Sequence, residues 1–191
     1  PRAGIVHRLD KDTTGIMVVA KTTRSHASLV NQLLQRSIKR EYEAVVVGVL
    51  TGGGVVDAPI GRHPVHRKRQ AVNDAGKEAK THYRIISRYR SHTHVQLNLE
   101  TGRTHQIRVH MAHINHRVVG DPLYGGRLQM PAASSPELVD ALQNFKRQAL
   151  HAKSLSFTHP DTGKQVSWEV GTTNDMRELL AALKCDYDLA D

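Results

Sequence analysis

The chain has 191 residues, which suits one domain of ordinary size with its own core. Its 27 Lys and Arg exceed its 18 Asp and Glu by 9, so an anionic polymer is the favoured partner. The 2 Phe, 1 Trp and 5 Tyr argue against binding that rests mainly on base stacking, and a lone cysteine, Cys185, excludes an intrachain disulfide framework and fits a reducing compartment.

In chain order, strands are expected at about 4–9 and 16–21, joined by a loop that carries Asp10 to Gly15. Thr22, Thr23 and Ser25 offer capping hydroxyls to a helix reaching Arg36, in which Ala27, Val30, Leu33 and Leu34 recur at helical spacing. A long strand follows from Ile38 to Gly48, then a glycine turn at 52–54 and a strand over 55–60. Gly61 to Gln70 reads as a basic loop, and Asn73 to Gly76 as a turn. Strands are expected at 79–90 and 93–100, a helix over 104–115, and a turn-rich loop at Asp121 to Gly126. A helix over 136–147, strands near 152–158 and 166–168, and a last helix over 173–184 complete the chain. Strands joined by short turns outnumber helices. The fold expected is α+β, with a mixed, mainly antiparallel sheet, flanking helices and one domain over 1–191. No stretch approaches the roughly 18 apolar residues of a membrane span, and the beginning of the chain lacks a secretory pattern.

Five features carry chemistry. Asp10 stands between two apolar runs with Arg8 and Lys11 beside it. A fixed anion in a basic chain suits a nucleophile placed against a nucleic acid, although an aspartate also commonly caps a turn. Asp10 and Asp12 together invite a paired-carboxylate, glycosidase-like reading. In Glu100 to Met111 a strand stops at Gly102 and a helix begins behind Thr104; Arg103, His105 and Arg108 would line an anion-binding helix start, or simply be solvated. Tyr42 sits on a strand, where packing is the ordinary role. Arg62, Arg67, Lys68 and Arg69 form a patch suited to phosphate contacts. The thirteen histidines lack HExxH or assisting cysteines, so no metal site is assigned, and surface or RNA-facing positions are expected for them.

The order of the blocks HRLDKDTTG, REYEAVVVG, TGRTHQIRVHM, VGDPLYGG and QALHAKSL, spread over residues 4–158, resembles that of the RluA-type pseudouridine synthases. The resemblance implies a sheet divided by a central RNA-binding cleft, no metal or organic cofactor, and isomerisation of uridine to pseudouridine in large-subunit (23S) ribosomal RNA. It implies Asp10 as the catalytic aspartate, Arg108 as its partner, and Tyr42 against the uracil or ribose. Arg8 would enter the RNA stack where the base leaves it, and Leu150 would wall the pocket. It further implies a cytoplasmic monomer with no membrane partner. Family members carry an upstream block containing Lys-Pro and, in some, a small RNA-binding domain before it; this sequence therefore reads as a catalytic domain from a longer protein. Arg117 stands where the family pattern has proline. The alternative kept open is a non-catalytic RNA-binding or ribosome-assembly factor on the same fold.

Overall fold

The computed structural model describes residues 4–189. Nine strands and four helices occur among them: β1 Thr14–Gly15, α1 Thr23–Leu34, β2 Lys39–Val47, β3 Gly54–Asp57, β4 Ile60–Arg62, β5 Gln70–Val72, β6 Lys80–Arg88, β7 His92–Leu99, α2 Gln106–His113, α3 Pro136–Asn144, β8 Leu150–Thr158, β9 Gln165–Glu169 and α4 Asn174–Asp188. The main sheet runs β1-β8-β2-β7-β6-β3, with β9 also on β8, and β4-β5 form a separate hairpin. Every pairing is antiparallel except β1 with β8, so the sheet is mixed and mainly antiparallel, with helices packed against it.

β2 explains its own central position. Ala44, Val45 and Val46 are fully buried, as expected of a strand paired on both edges, here by β7 and β8. Opposite Glu41 and Tyr42 the register with β8 slips: Glu41 faces Ser154 but Tyr42 faces Ala152, so Lys153 is the extra residue. Such a bulge twists a strand locally and re-aims nearby side chains, a device common beside active sites. On the opposite flank, α3 buries Leu138 and Leu142, and α4 buries Met176, Leu179 and Leu183 at helical spacing. Buried Asp186 accepts from the Ser135 N–H at 2.7 Å and Arg90 Nη1 at 3.1 Å, which ties the end of α4 to the start of α3.

Several sequence expectations are corrected. Residues 4–9 are not a strand; apart from one bridge between Ile5 and Val19, the segment is irregular, with a turn at Gly4 and a bend at His7. The expected strand at 55–60 divides at Ala58-Pro59, since proline lacks the N–H a ladder needs. The basic loop expected at 61–70 is a loop over 63–69, and its two ends pair as a short hairpin with Arg62 opposite Gln70. Nor do the histidines keep to the surface: His92, His94, His110 and His151 are buried. Both nitrogens of His110 are used internally, Nδ1 with Thr81 Oγ1 and Nε2 with the Ala58 carbonyl, each at 2.9 Å.

The loop bearing Asp10 is held by β8. Thr14 pairs with His151 and Gly15 with Ala152, and the Ile16 N–H reaches the Ala152 carbonyl at 2.9 Å. Gly15 has φ +113°, and a Cβ there would lie 2.2 Å from the Ala152 oxygen. Gly15→Ala is therefore expected to cost about 3 kcal/mol or more, which lowers Tm by about 6–12 °C in a chain of this size. A Tm within 2 °C of the parent by calorimetry, about 1 kcal/mol or less, would show that β1 is not tightly docked.

Candidate active site

Asp10 follows the irregular segment 4–9. Its carbonyl accepts from the Thr13 N–H at 3.0 Å, closing a turn in which Asp12 has φ +67°, a region that aspartate enters more readily than most residues. Gln148, 1% exposed, donates through Nε2 to the Lys11 carbonyl at 2.6 Å and the Thr13 hydroxyl at 2.9 Å. The turn is thus bolted to the residue two places before β8, and the Asp10 side chain has little freedom to wander.

Arg108, buried on α2, meets Asp10 at 3.2 Å from Nη1 to Oδ2. The expected pair is present, but Arg108 has a second and closer partner. Nε and Nη2 grip Asp121 in a fork at 2.7 and 2.8 Å. The side chain of Asp121 is fully buried, and its Oδ1 also accepts from the Leu123 and Tyr124 N–H groups at 2.8 and 3.0 Å. Burial acts to lower the Arg108 pKa, yet Asp121 and then Asp10 raise it overall, so the guanidinium stays charged. Asp121 thereby fixes the arginine in one orientation, which in turn positions Asp10.

Tyr124 continues the network. Its ring lies 5.0 Å from the Arg108 guanidinium carbon, and its hydroxyl meets His105 Nδ1 at 2.8 Å and accepts from the Gln70 N–H at 2.9 Å. The last contact ties β5, and with it the β4-β5 hairpin, to the site. His105 is held below the ordinary imidazole pKa, chiefly by burial.

A cavity of about 540 Å³ opens on this group, within the ~300–1,000 Å³ range of small-molecule sites. Its walls come from the segment before β1 (Arg8, Asp10), β2 (Arg40, Tyr42), the start of α2 (Gln106, Ile107) and β8 (Leu150), with Arg103 and His105 just before α2. Tyr42 is 6% exposed; burial pushes its phenol pKa up, Arg40 opposes and Asp10 adds to the rise. Arg8 is exposed on the same wall. The fold therefore gathers Asp10, Arg8, Tyr42, Arg108, Arg103, His105 and Leu150 in or against one cavity, from positions up to 142 residues apart. Lys11 is exposed and outside the cavity wall. Arg62 lines a shallower groove with Arg103 and Lys77, while Arg67 and Lys68 stand exposed on the hairpin. Asp12 points to no partnership with Asp10: it is exposed and outside the cavity wall.

Sequence reasoning missed Asp121, Tyr124, Gln148 and Gln106. Asp121 and Tyr124 stand in the VGDPLYGG block and Gln148 in QALHAKSL, so the signal was present, but a turn with glycine and proline masked the carboxylate. Gln106 joins Thr101 Oγ1, the Arg103 N–H, the Lys80 carbonyl and Thr81 Oγ1 at 2.7–3.0 Å, and so fixes the start of α2. Among the described residues no cluster of three or more His, Cys, Asp or Glu has metal-binding geometry.

The hairpin invites a salt test. Counterion release makes phosphate binding weaken with salt at a log–log slope of about −0.7 per contact for single strands. Replacing Arg67, Lys68 and Arg69 together with Ala is expected to flatten the slope of RNA binding by about 2, while single-turnover rate at saturating protein stays near that of the parent. An unchanged slope would return the hairpin to a merely solvated role.

Comparison with known proteins gives the family. The chain is 59% identical over 188 residues to ribosomal large subunit pseudouridine synthase D of Pseudomonas aeruginosa, covering 98% of this chain and 59% of that protein. The protein of that name from Escherichia coli (strain K12) is 55% identical over 188 residues, with 98% and 58% covered. The chain thus spans just under three fifths of the length of these relatives. Human RNA pseudouridylate synthase domain containing 4 superposes with a TM-score of 0.76 at 24% identity, over 95% of this chain and 76% of the other. Human RNA pseudouridylate synthase domain containing 1 gives 0.71 at 22%, over 95% and 80%. The two structures share the fold at identities too low to say more. With residues 1–113 matching the RNA pseudouridylate synthase family, on top of these identities, the chain belongs to that family.

Proposed function

We propose that this chain isomerises specific uridines to pseudouridine in large-subunit ribosomal RNA, acting as a monomer in the bacterial cytoplasm without a cofactor. The observation that carries the reading is Asp10 at a cavity wall, with one carboxylate oxygen held by Arg108 and that arginine locked by Asp121. Two relatives at 55–59% identity bear the name of a ribosomal large subunit pseudouridine synthase. No helix among the described residues is long and apolar enough to cross a membrane.

The reaction breaks the C1′–N1 glycosidic bond, turns the uracil and rejoins C1′ to C5, whose hydrogen leaves as a proton while N1 takes one up. Nothing is oxidised or reduced. A paired base cannot reach Asp10, so the uridine must leave the stack, at a cost of a few kcal/mol. The exposed guanidinium of Arg8 at the cavity mouth is placed to occupy the gap. Within the cavity Tyr42 offers a ring face to the base and Leu150 an apolar wall. Asp10 then acts as nucleophile or base, and three routes meet that demand: attack at the ribose, attack at the base, or elimination from the sugar. Arg108 fits each of them, because its charge balances the carboxylate without supplying a proton.

Tyr42→Phe keeps the ring and removes the hydroxyl. Turnover is expected to fall at least about a hundredfold while Tm holds, since proton transfer by a positioned side chain contributes on that scale. Normal turnover would reduce Tyr42 to a stacking wall.

The reading is tested by tritium release from ribosomal RNA carrying [5-³H]uridine, because bond formation at C5 expels that hydrogen. Release by the parent chain is expected. Binding without release would favour an RNA-binding or assembly factor on this fold.

A further inference from the structure

Arg40 is 8% exposed, yet among the described residues no carboxylate pairs with it. The acidic side chains on the cavity wall are Asp10 and Glu100, and both are engaged. Arg108 holds Asp10, while His82 and Arg36 hold Glu100 at 2.5 and 3.4 Å. Neighbouring Glu41 bonds to Gln96 instead. What Arg40 has is one weak contact, from Nη2 to the Thr101 carbonyl at 3.3 Å. Its Nε is buried with no partner.

His7, on the same cavity wall, adds a second orphan. Its Nε2 accepts from the Val18 N–H at 3.1 Å, so the neutral ring carries its proton on Nδ1, which is buried and unpartnered. Burial, helped by Arg40, holds the His7 pKa down at about 4, so the ring is neutral at physiological pH. Gly102 completes the arrangement, since a Cβ there would stand 2.6 Å from Arg40 Nη1. This end of the cavity wall therefore holds N–H donors and a formal positive charge, with the Thr101 carbonyl the one acceptor that meets the guanidinium among the described residues. Leaving a guanidinium buried and uncompensated is unfavourable. A neutral carbonyl would satisfy the N–H groups but leave the charge, whereas an anion removes both deficits.

We propose that Arg40, assisted by His7 Nδ1–H, is an anion subsite that takes a phosphodiester group flanking the uridine in the cavity. This rests on the reading of the cavity as a uridine site. The subsite couples entry of the base to capture of its backbone: the phosphate seats only when the nucleotide has swung inward, so binding energy from the backbone offsets the cost of unstacking.

Three measurements test it. Arg40→Met keeps much of the stem and removes the charge. In chloride buffer its Tm is expected to rise by at least about 2 °C, because exchanging an uncompensated buried charge for an apolar side chain of similar size relieves the free protein. A fall would mark Arg40 as structural and overturn the assignment. Inorganic phosphate at matched ionic strength is expected to raise the parent Tm above its value in chloride, and to raise that of Arg40→Met less. Equal increments would overturn it as well. Finally, ribosomal RNA fragments are made with a neutral methylphosphonate on either side of the modified uridine. At one of the two positions the parent is expected to slow about tenfold, and Arg40→Met to lose less than about twofold more. Equal losses in both proteins would remove the phosphate contact. If coupling appears instead with a base analogue lacking the 4-carbonyl oxygen, Arg40 reads the uracil and the anion assignment fails. Should the parent release no tritium from unmodified RNA, the proposed function fails by itself, and the two Tm comparisons still decide the subsite.

Discussion

Asp10→Asn is expected to lower tritium release by about a thousandfold or more while RNA affinity and Tm stay close to those of the parent. The contrast follows from the wiring of the site. Arg108 keeps both bonds to Asp121 when the Asp10 charge is removed, so no cation is stranded in the protein interior. Asparagine retains an oxygen to accept from Arg108 and leaves the turn at Thr13 intact, since that turn uses the Asp10 backbone carbonyl. The loss should therefore sit in the chemical step alone. Single-turnover release and a binding isotherm on the same preparation settle it. Appreciable product from a clean preparation of this variant, free of parental protein, would deny Asp10 the central role.

Arg108→Ala is expected to fail in a different way. It leaves Asp10 and the fully buried Asp121 facing a void that held a guanidinium. Breaking one side of a buried ion pair costs roughly 3–5 kcal/mol, which corresponds to a fall in Tm of about 6–20 °C for a chain of this size. Activity should drop with it even at temperatures where the variant is folded, because Asp10 has lost the group that orients it. Arg108→Lys restores a charge but not the fork, so it should recover part of the stability and less of the rate. Asp121→Asn provides the comparison. It should destabilise more than Asp10→Asn does, because it weakens the shorter, fully buried pair. Equal Tm values for the Asp10 and Asp121 variants would mean that the arginine is not organised by Asp121.

The motif around Asp10 shows how far residues alone carry the argument. A carboxylate between two apolar runs in a chain of net charge +9 pointed to nucleic-acid chemistry, and the order of five blocks pointed to a family. Local patterns also placed most elements: α1 follows its Thr22 cap, and β7 its alternating Val95, Leu97 and Leu99. Such features are legible because capping and strand alternation depend on residues a few positions apart. Residues 4–9 misled for the same reason. Their apolar content suits a strand, but a strand needs a neighbour, and β8 instead takes Thr14 and Gly15.

What the tertiary structure alone decided is who meets whom. Asp10, Arg108 and Asp121 lie up to 111 residues apart in the chain, and no local pattern tells a turn aspartate from one that locks a buried arginine. That Arg40 meets no carboxylate among the described residues is likewise invisible in sequence, where Glu41 beside it looks like a natural partner. On a strand, adjacent side chains leave opposite faces, so Glu41 turns to Gln96 while Arg40 faces the cavity. The sequence determined which groups the protein has and the elements that carry them. Long-range pairing of β8 with β1 and β2, which brings distant segments within a few ångströms at a buried site, decided which charges are satisfied and which are left for a ligand.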